Sequence, residues 1–224
     1  MYEKAKANDH VQGIMVTRLV MARAFITQRR YAEAEPYFEE ALKVYSEEKI
    51  TPLSLEGWSR YCALFIDTKQ WTKALENIVL YDSIVHRYLD EHNRTYPDLE
   101  ADILQLYAHA YTGIGELEKA VSTLDKADSL SSNLIMQTNS HGIRAEIANK
   151  QGRYTDALEH IAQARKLRDS KIDYIDVTFL QTEAAIWSGI EKAEKTLLYS
   201  EKAFQLADSL SRMEFNRQLD ELRT

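Results

Sequence analysis

The stretch LQLYAHAYTGIGELEKA, from Leu104 to Ala120, decides the fold of this chain. Its apolar and small residues recur at steps of three and four as far as Tyr111, which is the spacing of one face of an α-helix. The glycines of Gly113-Ile-Gly115 then interrupt the pattern, and glycine at such a point supplies a left-handed helix cap. A second stripe with the same spacing starts at Leu117. The stretch therefore predicts a helix, a tight turn and a second, antiparallel helix.

The same hairpin pattern occurs at four other places along the chain. Small residues precede the turns by a constant interval, at Ala22, Cys62, Ala108, Ala145 and Ala184. Alanines follow four of the turns, at Ala34, Ala74, Ala120 and Ala157. Bulky residues open the second helix in the same four copies, at Tyr31, Trp71, Leu117 and Tyr154. We expect the small residues to let the two helix axes of a hairpin approach closely, and the bulky residues to fill its end.

The hairpins have a fixed length, whereas the segments between them vary. Trp58 lies 16 residues before Ala74, and the third and fourth copies keep the same interval. The alanines at 34, 74, 120 and 157 are instead separated by 40, 46 and 37 residues. The pattern predicts an all-α solenoid of about five antiparallel hairpins, or 10–11 helices, in a single domain over residues 1–224. The hairpins are expected at about 12–48, 53–93, 98–130, 134–169 and 173–211, with a helical extension over 212–224.

Composition limits the possible partners and compartments. The formal net charge of −7 argues against nucleic acid as a partner, because phosphate binding needs a basic face. No run of 18 apolar residues occurs, so we expect this chain not to enter a membrane. The first ten residues have no apolar core and do not resemble a signal peptide. The single cysteine, Cys62, excludes an internal disulfide and a cysteine-based zinc site, and it leaves the redox compartment open.

The residues that usually carry catalysis form no recognisable constellation. The six histidines are scattered and include no His-x-x-x-His pair, so a metal site would have to be assembled across helices. Cys62 occupies the small-residue position of its hairpin, which predicts a buried structural thiol rather than a nucleophile. No phosphate-binding loop and no Gly-x-Ser-x-Gly motif occurs. We therefore expect a protein that is not an enzyme and has neither a metal nor a cofactor.

The repeats resemble the tetratricopeptide repeat (TPR) along nearly the whole chain, from about residue 12 to 211. The strongest signatures are Gly115-Glu-Leu-Glu-Lys-Ala120 and Gly152-Arg-Tyr-Thr-Asp-Ala157. The resemblance implies a superhelical α-solenoid that binds a protein or a peptide. Two departures, the uneven steps and a fifth copy with Thr196 in place of the alanine, leave the superhelical pitch open.

A narrower resemblance concerns the ends of the second helices. The segments Lys126-Ala-Asp-Ser-Leu130 and Leu206-Ala-Asp-Ser-Leu210, with the tail from Met213 to Leu222, resemble TPR sensor regions of bacterial signalling proteins. In those proteins the array continues through a helix to a histidine kinase or a helix-turn-helix output. The resemblance implies a sensor or regulatory part in signal transduction, periplasmic if it belongs to a membrane kinase and otherwise cytoplasmic. The alternative is a free-standing TPR scaffold or adaptor for complex assembly.

The resemblance also indicates where a ligand would bind. In TPR arrays the first helices of successive hairpins line a concave groove. The register places eight polar candidates there: Arg23, Arg60, Gln105, His109, Asn139, Glu146, Asn149 and Gln181. Their amides suit an extended peptide backbone, because each supplies a donor and an acceptor; the alternative is that they are ordinary solvated positions. The clamp by which some relatives grip a peptide carboxylate is absent, since its positions here include Leu19 and Ile143.

The last helix suggests a second kind of contact. Leu206, Leu210, Met213, Leu219 and Leu222 have heptad-like spacing. This spacing predicts a possible homodimer seam along the C-terminal helix.

Overall fold

The computed structural model describes residues 11–47, 51–93, 95–168 and 174–223, and over these residues the chain forms ten α-helices and no strand. The helices are α1 (Val11–Thr27), α2 (Tyr31–Glu47), α3 (Pro52–Asp67), α4 (Trp71–His92), α5 (Pro97–Ile114), α6 (Leu117–Leu130), α7 (Leu134–Lys150), α8 (Tyr154–Leu167), α9 (Tyr174–Gly189) and α10 (Ala193–Arg223). Each odd-numbered helix packs against the helix that follows it. The prediction of an all-α solenoid of helix hairpins is confirmed.

The five hairpin turns are built in the same way. One residue with positive φ lies in each turn, five positions before the anchor residue of the second helix: Arg29, Lys69, Gly115, Gly152 and Glu191. The next residue in each turn donates its N–H to a carbonyl five positions back, as Glu116 does to Tyr111 at 3.0 Å and Lys192 to Trp187 at 3.0 Å. This is the left-handed cap of a Schellman-type helix end. The fifth turn therefore has the register of the other four, although Thr196 stands at its anchor.

The interior of each of the first four hairpins is closed by small residues. Ala34, Ala74, Ala120 and Ala157 have no exposed surface, and the same holds for Ala22, Cys62, Ala108 and Ala145. Burial raises the pKa of the Cys62 thiol, as expected for a structural cysteine. Small side chains at these positions allow two helix backbones to approach closely, so a larger side chain would force the hairpin apart.

The joint between the second and third hairpins is longer than the others. Helix α4 has 22 residues, whereas the second helices α6 and α8 each have 14. The extra turns of α4 account for the long step between Ala74 and Ala120. Helix α4 ends at His92 and is capped by Asn93, which has left-handed backbone angles, and Pro97 is the first residue of α5. Proline suits this first position because its missing N–H would have no partner inside the helix.

The contacts between hairpins determine which helices lie on the concave side. The first helices α3, α5, α7 and α9 each contact the next in that series. Second helices of successive hairpins make no comparable contact within the described part of the chain. Since the first helices lie closer together, the array curves with these helices on the inside. The two ends of the array also meet, because α10 comes within 8 Å of α1, Cα to Cα.

The membrane prediction can be compared with the helices themselves. Within the described ranges, none of them combines the length and the apolar composition that a membrane crossing requires.

Candidate functional site

A pocket on the concave face brings four of the eight candidate residues together. Gln105, His109, Asn139 and Glu146, from α5 and α7, line a cavity of about 200 Å³. Asp67 at the end of α3 and Phe179 of α9 complete its wall. The pocket therefore spans four successive first helices, which is the arrangement that an elongated ligand would contact.

An ion pair forms the centre of this pocket. His109 Nε2 lies 3.0 Å from Glu146 Oε2, and each side chain keeps about 28% of its surface exposed. Burial by itself would lower the pKa of His109, but the charge of Glu146, the hydrogen bond to it and the nearby Asp67 together raise it. Burial would raise the pKa of Glu146, but His109 lowers it. The pair thus favours a protonated histidine beside an ionised carboxylate.

Asp67 adds a second carboxyl group beside the pair. Its side chain is open to solvent, yet the surrounding protein desolvates the carboxylate and raises its pKa to about 6. The positive charge of His109 opposes this shift, and the negative charge of Glu146 adds to it. Two carboxyl groups thus share one imidazolium, and the pocket is acidic above pH 6.

Gln105 corrects the expectation that all the candidates are free for a ligand. The residue is only 5% exposed, and its Nε2 donates to the carbonyl oxygen of Met136 at 2.7 Å and to Ser140 Oγ at 2.9 Å. Both donors of the amide are therefore used to hold α5 against α7. The spacing that placed Gln105 on the inner face was right, but the amide is part of the joint.

The other four candidates lie away from this pocket. Arg23 and Arg60 line a smaller cavity between α1 and α3, and Arg60 forms an ion pair with Glu56 at 2.8 Å. Asn149 is half-buried in α7, and Gln181 is exposed on α9. The structure thus places the eight candidates on the first helices without gathering them into a single site.

A second cavity occurs at the long joint, and the sequence patterns did not predict it. It has a volume of about 500 Å³, and the tyrosines Tyr81, Tyr88 and Tyr96 line it together with acidic side chains. The extended α4 carries Tyr81 and Tyr88, while Tyr96 immediately precedes α5. The sequence feature that could have indicated this cavity is the 46-residue spacing from Ala74 to Ala120, because extra length at one joint leaves space between hairpins.

The structure also brings together two histidines whose contact was not predicted from the sequence. His141 Nδ1 of α7 lies 3.1 Å from His160 Nδ1 of α8. Burial lowers the pKa of both imidazoles, helped by the charge of Arg144. Among the residues that the structure describes, no three His, Cys, Asp or Glu side chains are arranged to hold a metal ion. The two rings fit a neutral hydrogen bond, in which one ring donates and the other accepts.

These features define a curved array of helical hairpins with polar pockets on its inner face. The family model described as tetratricopeptide repeat matches residues 17–48 and 101–134, which lie in the first and third hairpins. The chain carries tetratricopeptide repeats in these two segments. The motif from Gly152 to Ala157 lies outside the matched segments, although its turn has the same geometry as the turn at Gly115.

The structural comparison gives a more distant likeness. The chain is similar to NprR, solved in complex with its cognate peptide NprX, with 17% identity and a TM-score of 0.41. The alignment covers 89% of this chain and 70% of the NprR chain. No curated protein sequence matches the chain.

Proposed function

We propose that this chain is a protein- or peptide-binding module and forms the sensor or regulatory part of a bacterial signal-transduction protein. The observation that carries the binding proposal is the pocket around His109 and Glu146, which spans the inner faces of α3, α5, α7 and α9. TPR segments support the proposal, because arrays of this kind use their concave face for protein recognition.

The lining of the pocket indicates what kind of peptide would bind. Asp67, Glu146 and Asp102 supply carboxyl groups, whereas His109 is the single basic residue among the described lining residues. Asn139 adds an amide, and Phe179 adds apolar surface. A peptide with basic side chains and free backbone groups complements this composition, since like charges are excluded and amides pair with either backbone group.

The signalling part of the proposal rests on the last helix. Helix α10 has 31 residues and continues well beyond the packing partner α9, as the narrower resemblance implies. The alternative, a free-standing scaffold, is favoured by the approach of α10 to α1, which joins the two ends of one array. The coding sequence that follows Thr224 separates the two, because an output domain there supports the sensor and a stop codon supports the scaffold.

The predicted homodimer seam needs a correction. Leu206 and Leu210 pack against Val177 of α9 within the same chain, so they are not available to a second copy. Among the described side chains of α10, the exposed large apolar residues are Leu197 at 63%, Leu198 at 45%, Phe204 at 75% and Met213 at 57%. Leu197 and Phe204 lie seven residues apart on one face, and Met213 is the exposed member of the predicted seam. Leu219 and Leu222 lie outside the described side chains. Dimerisation through α10 stays a prediction, and light scattering with and without residues 212–224 tests whether the extension contributes.

A peptide selection tests the binding proposal. A randomised peptide library is selected on the intact chain, and the enriched peptides are measured by calorimetry against the double variant His109→Gln, Glu146→Gln. The variant removes both charges while retaining hydrogen-bonding groups, so we expect binding to weaken by about tenfold or more. The control is Arg153→Gln, at an exposed turn where Arg153 pairs with Asp156. Failure to enrich any peptide, or equal binding to wild type and double variant, contradicts the proposed site.

A further inference from the structure

The tyrosine cavity at the long joint is open, aromatic and acidic. Three tyrosines line it, of which Tyr96 keeps 37% of its surface exposed, Tyr88 keeps 8% and Tyr81 keeps none. Its volume of about 500 Å³ is large enough for a long amino-acid side chain. Aromatic faces attract cations through the negative charge of the ring face, and tyrosine is among the residues that do so.

The charges in the cavity are all of one sign. Glu56, Asp98 and Asp102 line it, and no described lining residue is a lysine or an arginine. Asp98 and Asp102 are four residues apart on α5, so they lie on one face of the helix. A cation placed between them would be attracted by both carboxylates.

The hydrogen bonds of these two carboxylates do not neutralise them. Asp102 accepts from Ser59 Oγ at 2.8 Å and from the Tyr81 hydroxyl at 3.4 Å. Asp98 accepts from Ser131 Oγ at 2.5 Å and from the Asn133 amide at 3.4 Å. All four donors are neutral, and neither carboxylate forms an ion pair within the described residues. The charge of Arg60 acts on Asp102, but the Arg60 guanidinium is paired with Glu56.

We propose that this cavity binds the guanidinium of an arginine in a peptide ligand, with Asp98 and Asp102 as its acceptors and the exposed ring of Tyr96 as its aromatic wall. A planar guanidinium can donate several hydrogen bonds to carboxylates and stack on aromatic rings at the same time. A neutral apolar group would desolvate two carboxylates whose partners are all neutral, and an anion would be repelled. The inference rests on the proposed peptide-binding function and names one side chain that the peptide needs.

The cavity also lies in the right place for such a peptide. Asp102 lines both the tyrosine cavity and the pocket around His109. A peptide backbone along the first helices would therefore pass from one pocket to the other without leaving the protein surface. The position of the arginine in the peptide would then determine how the peptide is aligned along the array.

The first test uses a probe that needs no known ligand. The peptide acetyl-Gly-Gly-Arg-Gly-Gly-amide is titrated into the chain with ¹³C-labelled methionine methyl groups, because Met136 lines the cavity. We expect the Met136 resonance to shift, while Met21 of α1 and Met213 of α10 stay unchanged. The same peptide with citrulline has nearly the same shape without the charge, and we expect it to bind about tenfold more weakly or not at all. An unchanged Met136 resonance, or equal affinity for citrulline, overturns the proposal.

Variants place the site within the cavity. Asp102→Asn removes one acceptor charge, and Tyr96→Leu removes an exposed aromatic wall while keeping Ser59 and Tyr81, the donors to Asp102. We expect each to weaken the arginine probe by about tenfold, in line with the loss of a charge-assisted hydrogen bond or a desolvated cation–π contact. Glu118→Gln, an exposed acid on α6, is the matched control for the loss of one charge. If Asp102→Asn lowers the midpoint of thermal unfolding, the test rests on Tyr96→Leu instead. Unchanged binding of the arginine probe by Tyr96→Leu counts against the proposal.

The outcome separates this inference from the proposed function. Peptides selected on the intact chain that bind unchanged when their arginines become citrulline would overturn the cavity assignment and leave the binding module intact. Failure to select any peptide would remove the proposed function. The Met136 titration would then decide whether the cavity binds a guanidinium by itself.

Discussion

The contact between the two helices of one hairpin, here called a seam, differs in its residues from the contact between successive hairpins, here called a joint. Four of the five seams are closed by buried alanines at the same register, with Thr196 at that position in the fifth, and every turn has one left-handed residue five positions before the anchor. The joints are less uniform. At two of them the aromatic residue that opens a second helix packs on a glycine of the next hairpin, Trp71 on Gly113 and Tyr154 on Gly189. The joint between α8 and α9 also has two hydrogen bonds between Arg165 and Glu183, at 2.8 and 2.7 Å.

The difference shows which parts of the array can vary without loss of the fold. A seam must bring two backbones together, and only small side chains permit that, so the same residues recur. A joint must only fill a gap, and an aromatic ring, an amide or an ion pair can each do so. The chemistry that can bind a ligand is accordingly concentrated at the joints, where the pocket around His109 and the tyrosine cavity lie.

The largest effect is expected from enlarging a seam residue. Ala120→Leu and Ala157→Leu each insert three carbon atoms where the alanine has no exposed surface, and overpacking of this kind costs about 1–3 kcal/mol. Urea unfolding measures the change in the free energy of unfolding. Ala162→Leu is the matched control, because Ala162 is exposed on α8. A neutral result for both seam variants, with the control also neutral, would show that the register of the hairpins is wrong.

A smaller and more selective effect is expected at the joints. A Cβ added at Gly113 would lie 2.4 Å from the ring atoms of Trp71, whereas one added at Gly142 would lie 3.5 Å from Phe179, an ordinary contact. Both glycines lie inside helices, where alanine is favoured by about 1 kcal/mol. We therefore expect Gly113→Ala to lower the free energy of unfolding by about 1–2 kcal/mol, because the clash with a rigid ring exceeds this gain.

Gly142→Ala provides the opposite sign and serves as the control. It should be neutral or stabilising by up to about 1 kcal/mol, since the gain in helix propensity meets no clash. Gly189→Ala should lie between the two, because the clash there is with the outer edge of Tyr154, which can rotate away. Equal effects for Gly113→Ala and Gly142→Ala would mean that Trp71 does not fix the joint.

The same contrast explains what could be predicted from the sequence. The hairpins follow from residues close in the chain, such as Ala108 and Ala120, so their spacing is visible without a structure. Three of the turns could not be recognised from a glycine, because Arg29, Lys69 and Glu191 have the left-handed backbone conformation that glycine usually adopts. Only the constant distance to the anchor residue marks them.

The joints could not be predicted, because they depend on how successive hairpins pack. The use of the Gln105 amide by Met136 and Ser140, the pairing of His141 with His160 and the shape of the tyrosine cavity all involve residues more than 15 positions apart. The inner-face position of Gln105 and His109 was predictable from the helical period. That Gln105 is buried in a joint while His109 is open to a ligand was not predictable.

The smallest effect expected is a difference in pH dependence between the two histidine pairs. The folded-state pKa of His109 is raised, because the charge of Glu146 and the hydrogen bond to it outweigh burial. Its contribution to stability is fully present below the unfolded-state pKa of about 6.5 and is lost as the pH rises through the folded-state value. The folded-state pKa values of His141 and His160 are lowered, chiefly by burial. Their contribution is present above about pH 6.5 and is lost as the pH falls through the folded-state values.

Unfolding curves of paired variants separate the two contributions. His109→Gln should differ most from wild type at pH 6.5, with the difference in the free energy of unfolding shrinking as the pH rises. Asp67, whose pKa is raised to about 6, still titrates near pH 6.5, so the comparison is repeated with both chains carrying Asp67→Asn. His160→Gln should show its largest pH dependence below 6.5, where wild type loses stability and the variant loses less. If both variants changed with pH in the same direction, the His141–His160 pair inside a hairpin and the His109–Glu146 pair between hairpins would have similar electrostatic environments. The difference between seams and joints would then not include the charge of their residues.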